Sequence, residues 1–364
     1  MHVALVVDPG RLLTDGAEVQ RLAVALVGEG IRVHRILPRW RDEPALARLI
    51  PASAFDFGSS ILFRAARLGA LSSELEQDRP DVFVGLGPRG FEAAAELAED
   101  LDAGLVAMAS TMEELDAMPL RAHRDRVDLV CASTAPLAVR ASRTVGDDRV
   151  AVLPLGVPIP SQGDREPPSP QSLAIAGSGR DEGAYRALFR AIADVMPALP
   201  DLQVAIELPA GHDPKLWRIA RELGVQRVLN GVSGLESIRP LALACGTFAL
   251  PEPAHGTRAI VLEAMARGRT VVALEDPFAD HLIDGVTALV AAERDEREWA
   301  RLLASALLRP AGAPDVGTEA AARTAARFSS ARCAEQLADA CLAVVRGPAI
   351  PFPGTRTIGG AGAG

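Results

Sequence analysis

A single tyrosine and an aromatic content of 4% leave this chain few ring surfaces on which nucleic-acid bases can stack. Positive charge is also short. Lys and Arg number 38 against 47 Asp and Glu, a formal net charge of −9, so no nucleic-acid partner is expected. Cys131, Cys245, Cys333 and Cys341 are its four cysteines, and they lack the close spacing of metal ligands. They read as buried thiols of a reducing, cytoplasmic protein. No apolar run reaches about 18 residues, so no transmembrane segment is expected, while peripheral membrane contact stays open. Met1 to Leu5 has no basic region and leads straight into a strand, which argues against a signal peptide. The chain has no GxSxG elbow, no HExxH and no Walker loop. Its one DxD, Asp100 to Asp102, falls at a helix end before a strand, the wrong end for a ligand. No metal site and no cofactor are expected.

What the chain has is α/β alternation. Its 364 residues exceed one ordinary core, so two domains are the expectation. In the first half, apolar runs at His2 to Val7, Arg32 to Leu37, Asp81 to Leu86, Gly104 to Ala109, Val127 to Ser133 and Val150 to Gly156 read as strands. Helical spacing lies between them, after an expected loop from Asp8 to Gly16. Strands separated by helices of 10–15 residues imply parallel sheets covered on both faces. Pro158 to Pro170, PIPSQGDREPPSP, cannot continue a helix or a central strand and reads as a linker. Beyond it the alternation restarts with strands at Ser172 to Gly177, Leu202 to Leu208 and Gln226 to Asn230. Glu319 to Val345 reads as one helix, and the Gly- and Pro-rich tail from Gly347 as disordered.

The most informative stretch is Gly246 to Val290. An apolar run, Thr247 to Leu250, enters a loop marked by Pro251, Pro253 and Gly256. A helix through Ile260, Leu262 and Met265 stops at Gly268, and TVVAL follows. This βαβ unit places its loop at the carboxyl end of a strand, where ligands bind in open α/β sheets and a helix N-terminus favours anions. Glu263 lies about two turns into that helix.

VLEAMARGRTVVA (Val261 to Ala273) and LIDGVTALV (Leu282 to Val290) resemble the nucleotide-sugar site of the retaining group-1 (family 4) glycosyltransferases. The likeness runs over roughly residues 1 to 345 and includes DGAEVQRLAVAL (Asp15 to Leu26) at the opening Gly-Gly loop and helix. It implies the α/β GT-B fold: two Rossmann-like domains with parallel sheets facing across a cleft. The implied boundaries are an acceptor-side domain at 1–157, a linker at 158–171, a nucleotide-sugar domain at 172–318, and a helix at 319–346 returning to the first domain. The implied donor is a nucleotide-diphosphate sugar, used without a metal. The acceptor, whether glycan, lipid or small molecule, is not readable.

Carried over residue by residue, the resemblance gives Glu263 the ribose hydroxyls and places His255 where the family has its first Glu. Glu252 fits that place only in a longer loop. Ser110 stands where the family has a His near the sugar, and Gly16 takes the second Gly-Gly position, with Asp15 at the first. The Arg and Lys that meet the diphosphate become Ser178 and Glu182, which leaves Arg180 or Arg258 to supply positive charge. A Glu182 facing a diphosphate would be unfavourable. Gly177 and Gly256 complete the expected donor loops. Plainer readings remain: His255 as a loop residue, Glu263 as a solvated helix face, Gly177 and Gly179 as turn glycines. GLGPRG (Gly85 to Gly90) completes GxGxxG, but no acidic residue closes the next strand, where Ser110 sits. His212 has no visible partner. Two functions follow: a retaining glycosyltransferase, or a degenerate GT-B scaffold that binds a nucleotide, sugar or partner protein without transfer. A sugar epimerase is more distant, since no extra acidic or His pairs are seen.

Overall fold

In the computed structural model of the chain, the described residues are 1–39, 50–58, 61–161, 169–208, 214–233, 235–308 and 316–347. The tail beyond Gly347, His212 and most of the linker lie outside them. Two units emerge: unit 1 is Met1–Gly156 with Ser330–Gly364, and unit 2 is Val157–Ser329.

Unit 1 is a seven-stranded parallel sheet in the order β3-β2-β1-β4-β5-β6-β7. Its strands are β1 (His2–Val7), β2 (Arg32–Pro38), β3 (Ala52–Phe55), β4 (Val82–Leu86), β5 (Gly104–Ala109), β6 (Leu129–Ala132) and β7 (Val150–Val152). Every residue of β1 and β4 is buried, as continuous apolar runs in a sheet covered on both faces require. The helices are α1 (Pro9–Gly28), α2 (Ile61–Leu75), α3 (Pro88–Asp100), α4 (Met112–Ala117) and α5 (Ala135–Val145). Thr111 and Thr134 cap α4 and α5 through their hydroxyls, and Gly146 at φ 100° ends α5. The edge strand β3 is not apparent from the apolar pattern, because only two of its four residues face inward.

Unit 2 is a six-stranded parallel sheet in the order β10-β9-β8-β11-β12-β13. Its strands are β8 (Ser169–Ile175), β9 (Gln203–Leu208), β10 (Leu229–Ser233), β11 (Cys245–Leu250), β12 (Thr270–Leu274) and β13 (Leu289–Ala291). Its helices are α6 (Glu182–Val195), α7 (Pro214–Glu222), α8 (Leu235–Ala244), α9 (Ala259–Ala266), α10 (Glu296–Leu307) and α11 (Val316–Arg327). Tyr185, Phe189 and Trp299 anchor its core. Pro240 inside α8 hides that helix from a sequence reading.

The single helix expected from Glu319 to Val345 is two: α11, and α12 (Ser330–Arg346). The break is made by backbone pairing. The Val157 N–H donates to the Phe328 carbonyl at 2.7 Å, and Val157 bridges Ser329. α12 packs its Leu337 and Cys341 into the core of unit 1 beside α1. All four thiols are free and buried. Burial pushes the Cys341 thiol up to about 12. Among the described residues no helix is long and apolar enough to cross a membrane.

Candidate functional site

In each sheet the strand order reverses direction once: between β1 and β4 in unit 1, and between β8 and β11 in unit 2. Loops at the carboxyl ends of strands flanking such a point diverge and leave a crevice.

In unit 2, the loop after β8 bends at Gly177 and at Gly179, whose φ is 73°. A Cβ on Gly177 would sit 2.5 Å from the Tyr185 hydroxyl and 2.8 Å from Glu252 Oε2, so any side chain there would have to displace both groups. The backbone N–H groups of Ser178, Gly179 and Asp181 all donate to the Glu252 carboxylate, at 2.6, 3.1 and 2.6 Å. Glu252 itself comes from the loop after β11. The loop is therefore a concave anion seat, filled by a carboxylate of the same chain. Asp181 caps α6 by accepting from the Ala184 N–H at 3.1 Å and pairs with Arg294 at 2.6 Å. Arg180 lies exposed at the rim.

The feared clash at Glu182 does not arise. Its carboxylate turns to α7, 2.9 Å from Lys215 and 4.0 Å from Arg218.

The loop between β11 and α9 carries the other expected residues. His255 is exposed, takes φ 51° and has its ring edge-on to Phe278, with centroids 6.3 Å apart. Gly256 at φ 152° donates its N–H to Asp276 Oδ2 at 3.3 Å. Arg258, just before α9, pairs with Glu207 at the end of β9, with Nη2 3.0 and 3.2 Å from its two oxygens. Glu263 is not on a solvated face. It is 1% exposed, hydrogen-bonds Arg239 of α8, and has Arg267 within 4.0 Å. Glu252, the alternative for the family's first Glu, has its carboxylate in the seat.

Glu252, Gly256, Arg258, Asp276 and His281 line a small depression with Leu250, Val261 and Leu274. Burial pushes the His281 ring down to about 4, so it is neutral at neutral pH. Among the described residues its Nδ1 and the Thr257 hydroxyl have no hydrogen-bond partner, and the Tyr185 hydroxyl proton has no acceptor, although all three groups are buried. Sequence reasoning missed Glu207, Asp276, His281 and Tyr185. Glu207 and Asp276 were findable, because both sit at the carboxyl end of a strand in a parallel sheet.

Unit 1 departs from expectation at the same place. No loop separates β1 from α1. Asp8 caps the helix, Pro9 takes its first turn, and Asp15 marks a kink at φ −136°, ψ 30°. Gly16 is therefore a helical residue inside α1, with ordinary room for a side chain. Asp8 also accepts from the N–H groups of Gly10 at 2.7 Å and Arg89 at 2.8 Å. The α3 N-terminus, where GLGPRG would hold a pyrophosphate, is thus filled by Asp8. Ser110 is buried, its N–H given to Glu114 at 2.7 Å and its carbonyl accepting from the Ser133 hydroxyl at 3.0 Å. The half-buried Glu114 belongs to a cluster in which the buried Arg11 meets Glu114 at 3.1 Å, Glu18 at 3.1 Å and Asp15 at 3.7 Å. Burial pushes the Glu18 carboxyl up to about 7, against the pull of Arg11.

Comparison with solved structures defines the fold class. HepE from Anabaena, in complex with UDP and glucose, aligns at a TM-score of 0.71 and 15% identity, over 93% of this chain and 99% of that one. Sucrose-phosphate synthase from Thermosynechococcus elongatus aligns at 0.73 and 15% identity, over 93% and 97%. A putative UDP-N-acetylglucosamine 2-epimerase from Listeria monocytogenes aligns at 0.63 and 13%, over 93% and 95%. The chain has the α/β, two-sheet fold of the GT-B proteins. Within it, residues 170–309 match the family model described as glycosyl transferases group 1. No curated protein matches the sequence.

Proposed function

We propose that unit 2 binds a nucleotide-diphosphate sugar and that the protein transfers the sugar, with retention, to a glycan, lipid or small-molecule acceptor. One observation carries this reading. The stretch that matches the group-1 model contains, at its strand-order reversal, a loop whose three backbone N–H groups already hold an anion. The complexes of HepE with UDP and with UDP-glucose support the same ligand class.

In this reading Arg258 exchanges Glu207 for the diphosphate, and Arg180 approaches from the rim. Positive charge there stabilises the leaving diphosphate as the glycosidic bond breaks. Gly177 and Gly256 let the two loops approach the ligand. Glu263 shares its carboxylate between Arg239 and the ribose hydroxyls. His255 faces the sugar, and Ser110 stands in the place of the family's His. The buried thiols suit a reducing compartment such as the cytoplasm.

A second reading, a scaffold that binds nucleotide or sugar without transfer, is favoured by Glu207, which already pairs with Arg258, and by Glu252 and Asp276, which line the same depression as Arg258. Calorimetric titration with UDP, GDP and their sugars, followed by a donor-turnover assay, separates the two. Binding with turnover supports transfer. Binding without turnover supports the scaffold. Absence of any nucleotide binding removes both.

A further inference from the structure

We propose that Glu252 is a built-in competitor that keeps the seat of Ser178, Gly179 and Asp181 closed to phosphoryl groups until its carboxylate swings out. This deepens the nucleotide-sugar reading and rests on it for the identity of the ligand, though not for the anion.

Three backbone hydrogen bonds, two of them short, converge on one carboxylate, from a loop ahead of a helix of fourteen residues. The donors and the helix dipole favour any anion of that size. A phosphoryl group presents three such oxygens and more charge, so it competes for the same donors. Glu252 reaches them from across the strand reversal, 71 to 74 residues away in sequence. It is also part of the depression lined by Arg258 and Asp276. The seat and the depression therefore share this one side chain.

A second observation points to a ligand. The Tyr185 hydroxyl is fully buried, lies against the same side of Gly177 as Glu252 Oε2, and faces the Gly179 N–H, but its proton has no acceptor among the described residues. Leaving a buried hydroxyl proton without an acceptor is unfavourable, and such groups need an explanation. A phosphoryl oxygen in the seat accepts its proton.

The test uses the full chain and inorganic pyrophosphate, which carries no base or sugar. Affinity is measured by calorimetry for the natural protein, Glu252→Ala and Glu252→Gln. Glu252→Gln keeps the shape and most hydrogen bonds without the charge, and circular dichroism checks that both variants fold. Removing a charged competitor should tighten pyrophosphate binding about tenfold or more. Adding Tyr185→Phe to Glu252→Ala should return part of that gain. If folded Glu252→Ala and Glu252→Gln bind pyrophosphate no more tightly than the natural protein, Glu252 is a structural tie and the proposal is overturned. UDP and uridine distinguish this from failure of the wider reading. Tighter pyrophosphate binding with no response to any nucleotide keeps the seat and removes the nucleotide sugar. Equal UDP binding by all three proteins does the reverse.

Discussion

At their strand-order reversals the two units use the same device with different completeness. In unit 1, Asp8 caps α1 and reaches the α3 N-terminus, and no loop lies between β1 and α1. The site is filled and small: a Cβ on Gly90 would lie 2.5 Å from the Val6 carbonyl oxygen. In unit 2, Glu252 fills a comparable seat, but long loops surround it, and three buried polar groups nearby lack a partner or an acceptor among the described residues. Orphaned buried atoms occur beside both seats, since Arg11 Nε also lacks a hydrogen-bond partner among the described residues; what separates the two carboxylates is that Asp8 caps its own helix whereas Glu252 reaches the amides of another loop. The charge budgets differ as well. Unit 1 sets Arg11 among three carboxylates, while in unit 2 Glu263 meets both Arg239 and Arg267, and Arg258 meets Glu207.

The largest expected effect tests the closed character of unit 1. Arg11→Met leaves the buried Asp15 and Glu18 beside the half-buried Glu114, and should cost about 3–5 kcal/mol, read by urea denaturation. A loss below about 1 kcal/mol would show the cluster to be hydrated. Glu263→Ala strands Arg239 in the same way, so the ribose role is better tested with Glu263→Gln.

Next comes the pH response of unit 2. His281 binds a proton near 6.5 when unfolded and only near 4 when folded. The unfolded state therefore takes up more protons across that window, and stability falls as pH drops from about 6.5 to 4. The expected loss is about 2–3 kcal/mol. Hydrogen exchange of unit 2 measured at both ends should show it, and His281→Gln should abolish it.

Asp8→Ala sharpens the comparison directly. It should cost about 1–2 kcal/mol through lost capping. Unlike Glu252→Ala, it should leave pyrophosphate affinity unchanged. A gain in affinity would make the two reversals equivalent.

The smallest effect concerns Glu18. Its folded value is raised, so its contribution is full below about 4.5 and is lost as pH rises through 7. Glu18→Gln should therefore gain stability relative to the natural protein as pH rises from about 5 to about 8, the gain reduced by the hydrogen bond from Arg11 that it weakens.

The sequence alone determined the two parallel sheets and the order of most elements. Strands buried on both faces must be continuous apolar runs, and helix spacing is local, so both are written in neighbouring residues. Short or interrupted elements escaped it: β3, α4, the Pro240-bearing α8, and the break at Phe328 that only the pairing with Val157 explains. Tertiary structure alone decided what each charged side chain meets. Glu182 turns to Lys215, Glu263 to Arg239, Arg258 to Glu207, and Glu252 to the amides of a loop more than seventy residues earlier. These partners come from separate elements, and the direction of each side chain is set by packing that no local periodicity encodes.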